Sequence, residues 1–176
     1  MKPGNSDKVP QYLSKYSKIM RHTLESTYND VITLEEELDY LTEYLEIESM
    51  RSSKSFSYSI DVDKDIDTTE TMIPPMILQP FIENSIEHGF SDIDYEGAIQ
   101  VSFIIEQGNL VISINDNGTS TTNEHHKGYP SRATQIIRDR LFLLNQKNGT
   151  DARFEVRDAS ASGYTVIVTL PILQPA

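Results

Sequence analysis

The stretch PFIENSIEHGF, Pro80 to Phe90, begins and ends apolar but carries Glu83, Asn84, Glu87 and His88 in between. A buried amide without partners costs about 1–3 kcal/mol. A plain core helix therefore gives no reason for Asn84. On a helix, Asn84 and His88 stand four apart and share a face. Pro74 and Pro75 pre-set the entry to a helix from about Met76 to His88, and Gly89 ends it. Pro80 inside that span predicts either a kink or a first-turn position.

Downstream, AIQVSFIIEQ (98–107) and NLVISIND (109–116) read as strands joined at Gly108-Asn109. Counting by twos puts Asp116 on the same face as Leu110, Ile112 and Ile114. An acid at a strand end, followed by Asn117-Gly118, faces a cleft more often than a core. The polar run from Asn117 to Thr134 is too long for a simple connector and reads as functional or mobile. QIIRDRLFLLNQ (135–146) is a helix with Ile136, Ile137, Leu141 and Leu144 inward, and ARFEVRD and YTVIVTLPI are closing strands.

Upstream, FSYSIDVD alternates Phe56, Tyr58, Ile60 and Val62 as a half-buried strand. Before it, residues from Val9 to about Tyr28 carry Tyr12, Tyr16, Ile19, Met20 and Leu24 at helical spacing. Thr33 with Glu36 forms a capping box that opens a second helix, striped by Leu34, Leu38, Leu41 and Leu45 and running to about Arg51. The run Glu35–Glu37 reads as a solvated first turn favoured by the helix dipole. The stripes fit packing on the adjoining domain and a partner helix in a dimer equally well. The expected organisation is a leader and helical segment over 1–53 and a domain over 54–176. Its fold class is α/β (α+β): a two-layer sandwich of a mixed β-sheet with helices on one face, preceded by two amphipathic helices.

Composition narrows the partners. With 38% hydrophobic residues among 176, the chain can build a core. It has no cysteine, which excludes disulfides and thiolate-bound metal. A net charge of −12 argues against nucleic acid. It does not argue against a nucleotide, whose phosphates need only local amides and cations. The chemistry that suits the set is recognition of ATP. Asn84 offers an oxygen to Mg²⁺, Asp116 accepts from the exocyclic amine of adenine, Gly118 lets the base approach the backbone, and the loop folds over the phosphates.

IPPMILQPFIENSIEHGF, LVISINDNG, the polar loop, RDRLFLLN and VIVTLP, in that order, resemble the sensor histidine kinases of the LytS type. Those kinases carry the ATP-binding domain shared with gyrase, MutL and heat-shock chaperone ATPases. YLSKYSKIMRHTLEST and ITLEEELDYLTEYLEIESMR resemble the helical stretch before that domain, so the likeness runs from about Val9 to Pro171. The resemblance implies that Asn84 coordinates Mg²⁺. It implies that His88 packs by adenine and ribose, that Asp116 reads adenine beside Gly118, and that Thr119–Ala133 is the nucleotide lid. This chain departs from the pattern at Glu87, where the family often has lysine, and at Ser120, Ser131 and Ala133, where it has glycines. The Gly-Thr pair before the last strand reads Gly163-Tyr164. Gly128 remains in the lid, and Lys127, Arg132 and Arg140 are the cations left to face phosphate.

The family's phosphoacceptor lies in a Pro-His-Phe stretch that has no counterpart here. His22 sits in a different context and reads as a solvated helix residue, and His125-His126 read as solvated loop residues. The resemblance thus implies the ATP-binding catalytic portion of a two-component sensor histidine kinase. It would transfer the γ-phosphoryl of ATP to a histidine outside the chain. A response regulator would be its partner and a homodimer the assembled kinase. The expected location is cytoplasmic, with membrane attachment only through an upstream segment. A second class stays open: a degenerate, non-catalytic domain serving as a dimerisation or signal-relay module.

Overall fold

The computed structural model describes residues 8–26, 28–52, 54–119, 132–158 and 163–172. Helix α1 (Lys8–Ser26) leads into the two-residue strand β1 (Ile32–Thr33), which runs directly into α2 (Leu34–Arg51). The capping box at Thr33 is formed: its hydroxyl accepts from the Glu36 amide, and the Glu36 carboxylate accepts from the Thr33 amide. Two further first-turn amides of α2, at Leu34 and Glu35, donate to the carbonyls of Thr71 and Thr68. The connector after β2 (Phe56–Val62) is thereby tied to the helix start, and β3 (Met72–Ile73) pairs with β1. These two short strands carry no alternation and were not predicted.

The main sheet has five strands in the order β2-β4-β5-β7-β6. Here β4 is Gly97–Glu106, β5 Asn109–Asp116, β6 Arg153–Asp158 and β7 Tyr164–Pro171. The β2–β4 pair is parallel and the others antiparallel, so the sheet is mixed, as expected. Glu106 pairs with Asn109, so the hairpin loop is Gln107-Gly108, one residue earlier than predicted. Both residues have positive φ, 51° and 78°. That is the tight mirror-image turn matching strand twist, and glycine is the natural second residue.

One face of the sheet holds the core. Val101 and Phe103 of β4, Leu110 and Ile112 of β5 and Val168 of β7 meet Leu34, Leu41 and Leu45 of α2 and Phe81 and Ile82 of α3 (Gln79–Asn84). Ile137 and Leu141 of α4 (Arg132–Asn148) complete it. The α2 stripe therefore packs on the domain. On α1, Ile19 reaches the core while Leu13, Tyr16, Met20 and Leu24 stay exposed. Two expectations fail in the helices. Ile136 is exposed rather than inward, because α4 buries the Ile137–Leu141–Leu144 row instead. His22 is not solvated: its ring stacks on Tyr40 at 4.6 Å and its Nε2 is buried.

Candidate functional site

The helix predicted from Met76 begins at Gln79, with Pro80 in its first turn. The three intervening residues are held otherwise. Met76 has φ of 55°, a left-handed conformation that side chains disfavour. Its amide donates to the Glu37 carboxylate at 2.9 Å. Glu37 is only 1% exposed. The acidic run is thus split: Glu35 and Glu36 are exposed, whereas Glu37 turns inward to gather the amides of Met76, Ile77 and Leu78 near Arg140. Burial pushes its carboxyl up to about 7, against the opposing pull of those amides and the guanidinium.

After Asn84 the helix widens into a single π-helical turn, Ser85–Gly89, closed by the Phe90 amide on the Ser85 carbonyl at 3.0 Å. Asn84 is half-buried, whereas Glu87 and His88 are exposed. The Asn84 amide makes no hydrogen bond among the described residues. Ser85 is buried, and its hydroxyl donates to Asp116 Oδ2 at 2.5 Å. Nothing in the sequence pattern pointed to Ser85, since a serine inside an apolar helix also satisfies itself on a backbone carbonyl.

Asp116 lies on the buried face of β5, as the alternation predicted, and is 7% exposed. Its Oδ1 accepts from the Gly118 amide at 2.9 Å. Each oxygen therefore has one protein donor and keeps further lone-pair capacity. Asn117 acts structurally: its side chain accepts from the Ala98 amide and donates to the Glu96 carbonyl, continuing the pairing to β4 beyond the strand end. Gly118 serves a packing need. A Cβ there would stand 2.6 Å from the Gly89 carbonyl oxygen, and the Thr119 amide donates to that same oxygen at 2.9 Å. Gly163, at φ 115°, lies under the site, where a Cβ would fall 1.8 Å from the Asp116 carbonyl.

The structure thus brings Ser85, Gly89, Asp116 and Gly118 into one cluster, with Asn84 next to Ser85 in the chain. Arg140 is placed differently from the expectation that it faces phosphate: its guanidinium donates to the Pro75 carbonyl at 2.7 Å, bracing the entry to α3. Lys127, Gly128, His125, His126 and the lid from Ser120 to Ser131 lie outside the described residues. Glu83, the other puzzling polar residue, accepts from Tyr44 and Gln79. Two hollows, of about 250 and 510 Å³, lie elsewhere, lined by residues that include neither Asn84 nor Asp116.

The donor set suits a metal–nucleotide. A lone amide oxygen fits Mg²⁺, whose other ligands are phosphate oxygens and water. Among the described residues no group of three or more histidines or carboxylates offers a protein cage. A carboxylate at the edge of an apolar core fits a hydrogen-bond donor on a flat ring.

Comparison with known proteins shows the family to which the chain belongs, the LytS-type sensor histidine kinases. The family model for histidine kinases matches residues 1–56. The sensor protein LytS of Staphylococcus epidermidis is 30% identical over 174 residues, 95% of this chain and 29% of that protein. LytS of Oceanobacillus iheyensis is 35% identical over 145 residues, 82% of this chain and 23% of that protein. The chain therefore spans less than a third of the curated relatives it matches. In fold it is similar to the histidine kinase domain of the Erythrobacter litoralis blue-light activated kinase EL346, with TM-score 0.60 and 17% identity over 92% of this chain and 75% of that one. It is also similar to the Acinetobacter baumannii histidine kinase AdeS, with TM-score 0.58 and 12% identity over 98% and 87%.

Proposed function

In sequence this chain belongs to the LytS-type sensor histidine kinases and in fold it is similar to histidine kinase domains, and from that premise we propose that it binds ATP with Mg²⁺ as the phosphoryl-donating portion of a two-component kinase. The observation that carries this reading is the cluster in which a buried Asp116, held by Ser85 and Gly118, stands beside the helix that ends in an unengaged Asn84. Asp116 accepts from the exocyclic amine of adenine, and Asn84 gives its oxygen to the metal. Lys127 and Gly128 of the lid, with His88, complete the nucleotide contacts. When bound, Mg·ATP supplies the γ-phosphoryl group and neutralises its charge during transfer. The protein's part is positioning and electrostatics.

The acceptor is a histidine in a segment outside this chain. His22 is unsuited, because its ring is packed on Tyr40. Acid-labile phosphate on His22 after incubation with labelled ATP would overturn this. The natural partners are a response regulator, which takes the phosphoryl group onward, and a second copy of the kinase. The working location is the cytoplasm, where ATP is found; no helix among the described residues is long and apolar enough to cross a membrane.

Asn84→Ala tests the reading. It should abolish the gain in ATP affinity that Mg²⁺ brings, with the melting curve unchanged within about 0.5 kcal/mol, as for a side chain that makes no hydrogen bond among the described residues. Binding equal to the parent with and without Mg²⁺ would remove Asn84 from the site. Absence of nucleotide binding in the parent would favour a non-catalytic module.

A further inference from the structure

The helical segment does more than precede the nucleotide site. Glu37, Tyr40 and Tyr44 lie on one face of α2 at spacings of three and four. Their partners repeat that spacing: Glu37 accepts from the Met76 amide at 2.9 Å, Tyr40 donates to Gln79 at 2.6 Å, and Tyr44 donates to Glu83 at 3.2 Å. Each pair is separated by 39 residues. A constant offset means that α2 and the α3 segment run parallel and in register. Gln79 also donates to the same Glu83 oxygen at 2.7 Å, joining the rungs.

We propose that this ladder is a positioning device for Asn84, so that Mg²⁺-dependent nucleotide binding depends on α2 side chains that never touch the nucleotide. The proposal rests on the nucleotide reading above. Apolar contacts between two helices tolerate sliding and rotation, whereas directional hydrogen bonds fix register. Tyr40 and Tyr44 are 3% and 8% exposed, so a shift of α3 would take the Glu83 acceptor from the buried Tyr44 hydroxyl and the Gln79 acceptor from Tyr40, whose oxygen also bonds Thr23. The last rung is Glu83, whose neighbour in the chain is Asn84. The first rung holds the left-handed Met76 at the entry to α3. At its outer side the ladder reaches α1, through the His22 ring stacked on Tyr40. Rotation of the helical segment about α2 would thus be felt at Asn84 before it was felt at Asp116, which belongs to the sheet.

The test is calorimetric titration of ATP, with Mg²⁺ and with EDTA, into the full chain and its Tyr44→Phe and Tyr40→Phe/Tyr44→Phe variants. Phenylalanine keeps the rings and removes only the hydroxyls. The Mg²⁺-dependent gain in affinity should fall about fivefold or more in the double variant, the scale of one or two hydrogen bonds, while affinity in EDTA changes less than twofold. Glu83→Gln, which keeps an accepting oxygen, should retain most of the gain, and Glu83→Ala should lose it. A purely structural role would lower the melting temperature of the tyrosine variants and leave the Mg²⁺ gain intact, and that result would overturn the proposal. If the double variant fails to fold, the single Tyr44→Phe decides by the same criterion. A parent that binds no ATP would instead sink the nucleotide reading, and the ladder's role with it.

Discussion

Glu37→Gln changes one titrating group in the α2–α3 seam, and its signature is a slope rather than an offset. Glu37 is almost wholly buried, so its shift needs no discount for solvent screening. Its carboxyl stands at about 7 in the folded chain against an ordinary 4.5, chiefly through burial. Between those values the folded state holds a proton that the unfolded state has released. Stability from this group is therefore complete below pH 4.5 and lost as pH rises through 7. At 1.36 kcal/mol per pH unit, the loss between pH 5 and pH 8.5 is on the order of 2–3 kcal/mol. For a chain of this size that corresponds to roughly 5–10 °C in melting temperature. The groups facing Glu37 are the Met76, Ile77 and Leu78 amides, the Arg140 guanidinium and the Tyr40 phenol, itself held up to about 12. Glutamine cannot titrate. Its NH₂ would face the donors that surround the carboxylate, a cost that is the same at every pH. Urea melts of parent and variant across pH 5–8.5 give the difference in stability, which should tilt by roughly 2–3 kcal/mol in the variant's favour at the alkaline end. Parallel pH curves for the two proteins would refute the reasoning and show that Glu37 titrates as an ordinary carboxylate.

Two other substitutions address the site directly. Asp116→Ala should weaken ATP by about 1.5–3 kcal/mol, the scale of a hydrogen bond to a charged group, and erase any preference over GTP; calorimetry with equal parent affinities for the two would remove the adenine assignment. Gly163→Ala meets both a positive φ and a backbone clash at Asp116, so it should lower stability by more than about 2 kcal/mol in a urea melt, and an unchanged melt would mean that the turn relaxes freely.

What the sequence revealed of this molecule was its periodic part. The strands and α2 announce themselves because alternation and the capping box are local and repeat. Asp116 was legible for the same reason: counting by twos from Leu110 places its carboxylate on the core side, where it is found. Asn84 was legible as a residue out of place in an apolar helix. The misses share a cause, since each depends on a partner distant in sequence. Glu37 looks like its neighbours Glu35 and Glu36 until the Met76 amide is seen to need an acceptor. His22 looks solvated until Tyr40 is placed against it. Ser85 carries no signal, because only the end of β5 supplies the carboxylate that it holds. The π-turn after Asn84 is invisible to a reading at helical period. These nonlocal contacts bear on how the site is held rather than on what it binds. The residues proposed to carry the chemistry, Asn84 and Asp116, are ones a sequence can expose, whereas those proposed to position them are ones it disguises. Glu37 reads as part of a solvated first turn, yet it accepts from the Met76 amide while Tyr44 donates to Glu83, both on the segment that leads to Asn84.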